Sequence, residues 1–408
     1  METELVPVIR FGEFEGAWER KTIGGITSKV GSGSTPKGGE KVYTEAGVPF
    51  IRSQNVVDDR LDLSDSAYIS DEVHSSMLGS KVLPNDVLLN ITGGSIGRSC
   101  VVPLNSEEAN VNQHVCIIRP KNSFDSRLIQ YFLTSHQGQK EIYRNITGSG
   151  REGLNFQGVR SFRIFLPTLP EQRKIASFLS LVDRRLAAAR RRVALLGAFK
   201  RGVMQRIFMG PDSVSSLQNP NVRKLTLSQI ARKVKTKNKN GAVTRVLTNS
   251  AVGGIIDQSD YFDKEIANQK NLGGYSVVMP GDFVYNPRIS VSAPVGPVNR
   301  NNLGTGVMSP LYTVFRLKKG VEEFYEQFFQ STAWHKHMYS VANYGARHDR
   351  MNIRSEDFYS LLVPYPSLPE QTRIVNVLTK LDAQVALAER AVLGLEVWKR
   401  GLLQGMLV

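Results

Sequence analysis

Apolar residues recur with a 3-4-3-4 spacing along two separate stretches of this chain. The first seam is Ile175, Leu179, Val182, Leu186, Ala189, Val193, Leu196, Lys200, Val203 and Ile207. The second is Ile374, Leu378, Leu381, Val385, Ala388, Val392, Leu395, Lys399, Leu402 and Met406. A heptad sustained for about five repeats predicts two long helices packed through a coiled-coil seam. Pro170 and Pro369 stand just ahead of the helices, where proline is tolerated, and Gly210-Pro211 ends the first. One lysine interrupts each stripe, Lys200 and Lys399, and reads as a snorkelling side chain that fixes register.

The two stretches are copies. Leu169-Pro170-Glu171-Gln172 returns as Leu368-Pro369-Glu370-Gln371, 199 residues on, and 16 of the 40 positions that follow without a gap are identical. Asp183 and Asp382 match, as do Lys200-Arg201-Gly202 and Lys399-Arg400-Gly401. Weaker echoes lie upstream. Leu83-Pro84-Asn85-Asp86-Val87-Leu88-Leu89-Asn90 parallels Met279-Pro280-Gly281-Asp282-Phe283-Val284-Tyr285-Asn286, and Gly148 to Phe156 parallels Gly345 to Ile353. Short β-type runs among Gly, Asn and Pro, such as Val115 to Ile118 and Tyr312 to Leu317, make each upstream stretch a mixed globule. The expected class is α+β, two mixed α/β domains alternating with two long helices. The boundaries are 1–168 for the first globule, 169–210 for its helix, 211–221 for a linker, 222–367 for the second globule and 368–408 for its helix.

A helix of that length spans roughly 57 Å, and a short linker extended covers roughly 45 Å. The linker cannot bring the chain back to start a parallel helix, so the second helix is expected to run antiparallel to the first. A pseudo-two-fold chain with a globule at each end suits two sites on duplex DNA about 34–36 Å or more apart.

Charge supports that partner. The chain of 408 residues carries 52 Lys+Arg against 37 Asp+Glu, a net +15, which implies a polyanion. The first helix region holds ten basic residues against two acidic and the second five against four, so Arg184-Arg185 and Arg190-Arg191-Arg192 face either DNA or a docking subunit. A hydrophobic share of 41% allows real cores, and no apolar run suffices to span a bilayer. The first residues lack a signal-peptide pattern, and with only Cys100 and Cys116 there is neither a disulfide framework nor a zinc site, so a cytoplasmic protein is expected.

No catalytic constellation is present in the sequence. There is no phosphate-binding Gly-x-x-x-x-Gly-Lys-[Ser/Thr] loop and no His-Glu-x-x-His, and His335 and His337 lack acidic neighbours. Ser309-Pro310-Leu311-Tyr312 lacks the second proline of an amino-methyltransferase loop. Neither a metal nor a cofactor is expected in this chain. The expected chemistry is recognition. Side chains that reach purine edges from loops are Arg52, Gln54, Asn55, Gln113, His114 and Arg151 in the first globule, and Asn249, Arg288, Arg347, His348 and Arg350 in the second. Gly93-Gly94-Ser95-Ile96-Gly97-Arg98 is either a cradle for a DNA phosphate, with Arg98 adding charge, or a glycine-rich turn.

The order of these features resembles the specificity subunits of type I restriction-modification systems, in which two target recognition domains alternate with two helical regions. The resemblance rests on Val8-Ile9-Arg10-Phe11 with Phe14, Gly16 and Trp18-Glu19, then Gly33-Ser34-Thr35-Pro36, Val48-Pro49-Phe50-Ile51-Arg52 and Asn55. Asp86-Val87-Leu88-Leu89, Gly94-Ser95-Ile96-Gly97 and the two Leu-Pro-Glu-Gln motifs complete it. The second domain departs by lacking the Gly-x-x-Thr-Pro signature and by carrying Pro287-Arg288-Ile289-Ser290 where the first has Thr92-Gly93-Gly94-Ser95. The resemblance implies a non-catalytic subunit that reads a bipartite, asymmetric DNA target in phage defence. It implies two modification subunits bringing S-adenosylmethionine for adenine methylation, and restriction subunits bringing ATP and Mg for translocation and cleavage. A methylation-only or type IIB-like system, or a non-specific nucleic-acid-binding coiled-coil scaffold, are the alternatives.

Overall fold

The computed structural model describes residues 6–148, 152–209, 222–261, 269–343 and 349–407. The chain forms two compact units, Met1–Arg190 with Arg390–Val408, and Arg191–Glu389. The long helices run Leu169–Met209 and Leu368–Met406, so each unit contains one end of each helix. Both helices begin one residue before their proline, which places Pro170 and Pro369 inside the first turn rather than ahead of it. That position is still harmless, because first-turn N–H groups have no helical acceptor.

In the first unit the globule is tied off by strand Glu19–Thr22, antiparallel to Arg163–Leu166, which delivers the chain to the first long helix. An antiparallel sheet of Thr27–Ser32, Val115–Pro120, Val87–Asn90 and Ser99–Val101 forms its middle. Side chains of the central strand Val87–Asn90 are buried on both faces, which is why Val87-Leu88-Leu89 reads as an unbroken apolar run. Leu88, Val115 and Ile117 pack with Ile51, Val82 and Val111 of a second four-stranded sheet. Val87, Leu89, Cys116 and Ile118 face Leu128, Phe132, Ile175 and Leu179, from helix Ser126–Thr134 and the first long helix.

The second unit repeats this plan with an aromatic core. Arg223–Thr226 pairs with Leu362–Tyr365, and Ala231–Lys233, Thr313–Leu317, Phe283–Tyr285 and Val298–Arg300 form the sheet. Phe283 stacks on Phe315 at 5.4 Å and Tyr285 on Phe358 at 5.0 Å, among Phe208, Phe324, Phe328 and Trp334.

Within each unit the helix segments run antiparallel. Ile175, Leu179 and Val182 pack with Leu402, Leu403 and Met406 in the first unit, and Met204 and Phe208 with Leu378 in the second. Every seam position named above is buried or half-buried. The seam lysines do not snorkel to solvent. Lys399 Nζ lies 2.8 Å from Asp183 and 3.0 Å from Asp59, and Lys200 pairs with Asp382. Each lysine of one repeat thus meets the aspartate of the other across the antiparallel segments.

The repeat extends to buried contacts. Asp86, 1% exposed, takes a two-pronged contact from Arg119 at 2.7 and 2.8 Å; Asp282, fully buried, takes the same from Arg316 at 2.6 and 2.9 Å. The glutamines of the two Leu-Pro-Glu-Gln motifs do one job. Gln172 accepts from Asp125 N and donates to the Pro167 carbonyl, while Gln371 accepts from Val321 N and donates to the Pro366 carbonyl. Each clips its long helix to the start of the neighbouring short helix. The glutamates differ: Glu171 is buried against Arg10 at 2.7 and 2.8 Å, whereas Glu370 is exposed.

Candidate nucleic-acid interface

The loops that carry the first unit's candidate readers converge at one end of its sheets. Asn90, closing strand Val87–Asn90, donates from Nδ2 to the Ser53 carbonyl at 2.8 Å and to Ser95 Oγ at 3.1 Å. Ile91 N donates to the His114 carbonyl at 3.0 Å, and Asn112 N to that of Ile51 at 3.0 Å. Gly33 N donates to the Asn112 carbonyl at 3.2 Å. A side chain at Gly33 would place its Cβ 1.7 Å from the Val111 carbonyl oxygen, so the glycine lets the Gly33-Ser34-Thr35-Pro36 loop lie against the 112–114 turn.

Five of the candidates lie on these loops. Gln113 is exposed; its Oε1 accepts from Thr35 Oγ1 at 2.6 Å, and its Nε2 is 3.1 Å from His114 Nε2. His114 Nδ1 is 2.6 Å from Thr92 Oγ1. Arg52 lies over the Tyr43 ring at 5.8 Å, and its buried Nε has no hydrogen-bond partner among the described residues. Gln54 is exposed and donates to Asp65 Oδ2 at 3.2 Å. Arg98 is exposed at the end of the glycine-rich turn, where Gly93 and Gly97 have φ of 72° and 88°, values that favour glycine. Ile96 N and Arg98 N are consumed inside that turn, by the carbonyls of Gly93 and Ser95.

Asn55 does not join them. It is 2% exposed, its Oδ1 accepts from Arg52 N at 2.9 Å and its Nδ2 donates to the Asp62 carbonyl at 2.9 Å. Its amide holds the loop and is not offered to a base. Asn249 in the second unit is likewise 2% exposed, donating to the Val284 carbonyl and accepting from Asn299 Nδ2, both at 2.7 Å. Loop asparagines in a sequence look available, and here contacts within the fold have used both ends.

The second unit brings Arg288 and Arg350 together. Their backbones form an antiparallel bridge, flanked by Ile289 N to the Asp349 carbonyl at 3.1 Å and Met351 N to that of Pro287 at 2.8 Å. Arg288 is exposed, and Arg350, half-buried, contacts Asp349 at 3.4 Å. The Arg350 hydrogen bond, with Arg288 adding its field, holds the Asp349 carboxyl below the usual carboxylate range. Asn286 donates to the Asn249 carbonyl at 2.9 Å, the counterpart of the Asn90 contact. Arg151, Arg347 and His348 lie outside the described residues. Sequence reasoning missed Thr35, Thr92 and the paired roles of Asn90 and Asn286. Each stood in a sequence motif, Thr35 in Gly33-Ser34-Thr35-Pro36, Thr92 beside the glycine-rich turn, and Asn90 and Asn286 at the ends of the upstream echo, but none was singled out as a site residue.

The two units are built on one plan, and each ends in polar loops of its own chemistry. Residues 15–195 match the type I restriction modification DNA specificity domain. The chain is 24% identical over 394 residues to the type I restriction enzyme MjaX specificity subunit of Methanocaldococcus jannaschii, covering 91% of this chain and 88% of that one. It is 23% identical over 371 residues to the EcoKI specificity subunit of Escherichia coli K12, covering 85% and 77%. The solved S subunit of a type I restriction-modification system from M. genitalium shares the fold, with a TM-score of 0.56, 13% identity and 99% of each chain covered. A solved structure concerned with complex assembly and conformational transition of the type I R-M system gives 0.58 at 16% identity, covering 95% and 96%. Over most of its length the chain is thus similar to type I restriction-modification specificity subunits, and its first part matches their DNA specificity domain. No helix among the described residues is long and apolar enough to cross a membrane.

Proposed function

We propose that this chain reads a bipartite, asymmetric sequence in duplex DNA, one half-site per unit, and scaffolds the subunits that act on it. The carrying observation is a contrast between the units. Buried contacts repeat, as in Asp86–Arg119 and Asp282–Arg316, while exposed loop chemistry differs, with Thr35, Gln113 and His114 in one unit and Arg288 and Arg350 in the other. A shared scaffold with dissimilar tips suits two different half-sites.

The chemistry is assigned to partners in the cytoplasm. Two modification subunits bring S-adenosylmethionine and methylate adenine, and restriction subunits bring ATP and Mg for translocation and cleavage. Exposed Arg184 and Arg185 on the first helix are available to spacer phosphates or to a docking subunit.

Methylome sequencing of cells carrying this subunit with its modification partner tests the reading. The expected result is one bipartite motif with two unlike halves and an unread spacer. Salt-dependent binding to random duplex, with no site preferred, would replace it with a non-specific scaffold.

A further inference from the structure

We propose that Gln113 reads an adenine in the half-site of the first unit, its amide set in place by Thr35 and His114; this rests on the DNA-reading function above. A glutamine amide has two N–H donors and an oxygen with two lone pairs. Thr35 Oγ1 takes one side at 2.6 Å and His114 Nε2 the other at 3.1 Å. The hydroxyl donates to the amide oxygen, the amide N–H donates to Nε2, and the Nδ1–H of the imidazole donates to Thr92 Oγ1 at 2.6 Å.

With the Gln113 amide turned over, so that its oxygen faces His114 and its nitrogen faces Thr35, the relay also closes in reverse. Thr92 then donates to Nδ1, Nε2–H donates to the amide oxygen, and the amide N–H donates to the Thr35 hydroxyl. In either direction Gln113 has one N–H and one oxygen lone pair left, and the side chain is exposed. One donor beside one acceptor matches the major-groove edge of adenine, where N7 accepts and the N6 amino group donates. Guanine offers two acceptors on that edge and satisfies only half of such an amide.

The surroundings hold the glutamine for this task. His114 N donates to Asn112 Oδ1 at 3.0 Å, and Asn112 itself is only 8% exposed, so the turn that carries Gln113 is fixed from beneath. The bare Cα of Gly33 keeps Thr35 within reach. Ordering the glutamine before DNA arrives removes an entropic cost from binding. Thr35 and His114 are positioning residues, and Gln113 makes the contact.

The test uses the subunit assembled with its modification partner, on the motif found by methylome sequencing. Duplexes carry 7-deazaadenine, which lacks the N7 acceptor, at each adenine of the first half-site in turn. One position is expected to weaken wild-type binding by roughly tenfold. Gln113→Ala should abolish that penalty and make the same position degenerate in the methylome, leaving the second half-site unchanged. Thr35→Val should relax the same position and no other, an effect that a merely structural threonine would not give. An intact bipartite motif untouched by Gln113→Ala, or a first half-site without adenine, overturns the assignment to Gln113 alone. A wild-type complex with no preferred sequence overturns the DNA-reading function and this inference together.

Discussion

Removing the guanidinium from the buried carboxylate that starts each central strand should destabilise both units by a similar amount. Asp86 is 1% exposed and Asp282 fully buried, while their partners Arg119 and Arg316 are 26% and 32% exposed. Each carboxylate also accepts a backbone N–H, from Leu83 at 2.7 Å or Met279 at 2.8 Å, and in Arg119→Met or Arg316→Met that is the contact it keeps. Breaking a buried pair from one side costs about 3–5 kcal/mol. The arginine side is open enough for water to relieve part of this, so we expect about 2–3 kcal/mol for each variant. For a unit of about two hundred residues that corresponds to a fall in Tm of roughly 4–12 °C. Urea titration and calorimetry of the full chain measure it, and adding Asp86→Asn to Arg119→Met should restore at least about 1 kcal/mol by removing the stranded charge. Strand Val87–Asn90 ends at the asparagine that pins the 53 and 95 loops. Hydrogen exchange around 91–98 should therefore rise in Arg119→Met. A loss below about 0.5 kcal/mol, or no recovery in the double variant, would refute the reasoning.

The seam lysines should differ in weight, because Lys399 faces two carboxylates and Lys200 one. Urea titration should show Lys399→Met costing about 2–3 kcal/mol and Lys200→Met under about 1; equal losses would contradict this. Glu171→Ala removes the only carboxylate the Arg10 guanidinium contacts among the described residues, leaving it the Glu15 and Gly16 carbonyls, and should cost about 2 kcal/mol, while Glu370→Ala at an exposed position should stay within about 0.5. Burial pushes the Cys100 and Cys116 thiols from 9.0 up to about 12. Their raised folded values make their contribution to stability complete below pH 9 and progressively lost as pH rises from 9 toward 12. Native protein should resist thiol alkylation at pH 8, and a urea midpoint unchanged between pH 8 and pH 10.5 in wild type would contradict the linkage.

Much of the architecture was legible because it is periodic and duplicated. Heptad spacing gave both helices, and the copied Leu-Pro-Glu-Gln motifs marked their starts to within a residue. Periodicity cannot name a partner for a polar residue that breaks the stripe, so the lysine–aspartate crossing appeared only when the antiparallel segments were side by side. Loop chemistry was harder. Gln113 and Asn55 look alike in sequence, both polar and in loops, yet one is exposed and the other is saturated by Arg52 N and the Asp62 carbonyl. Thr35 and Thr92 stood inside sequence motifs, yet their roles were hidden because they come from contacts with a turn distant in sequence.

The duplicated contacts also explain why a reading protein places charges inside its packing. A seam made only of leucine and valine would tolerate slippage by a heptad, since every apolar position resembles the next. Lys399 at 13% exposure and Lys200 at 17% do not tolerate it, because a shifted register would leave each amine buried beside apolar neighbours. The Lys–Asp pair therefore adds little net stability relative to an apolar pair, and a large penalty against the wrong alignment. Asp183 and Asp382 are in turn held from the globules, by the Tyr131 hydroxyl at 2.6 Å and by Gln327 Nε2 at 3.1 Å. In each unit the carboxylate that meets the seam lysine through one oxygen takes a hydrogen bond through the other from the short helix beneath the sheet, so globule and helix pair share one alignment.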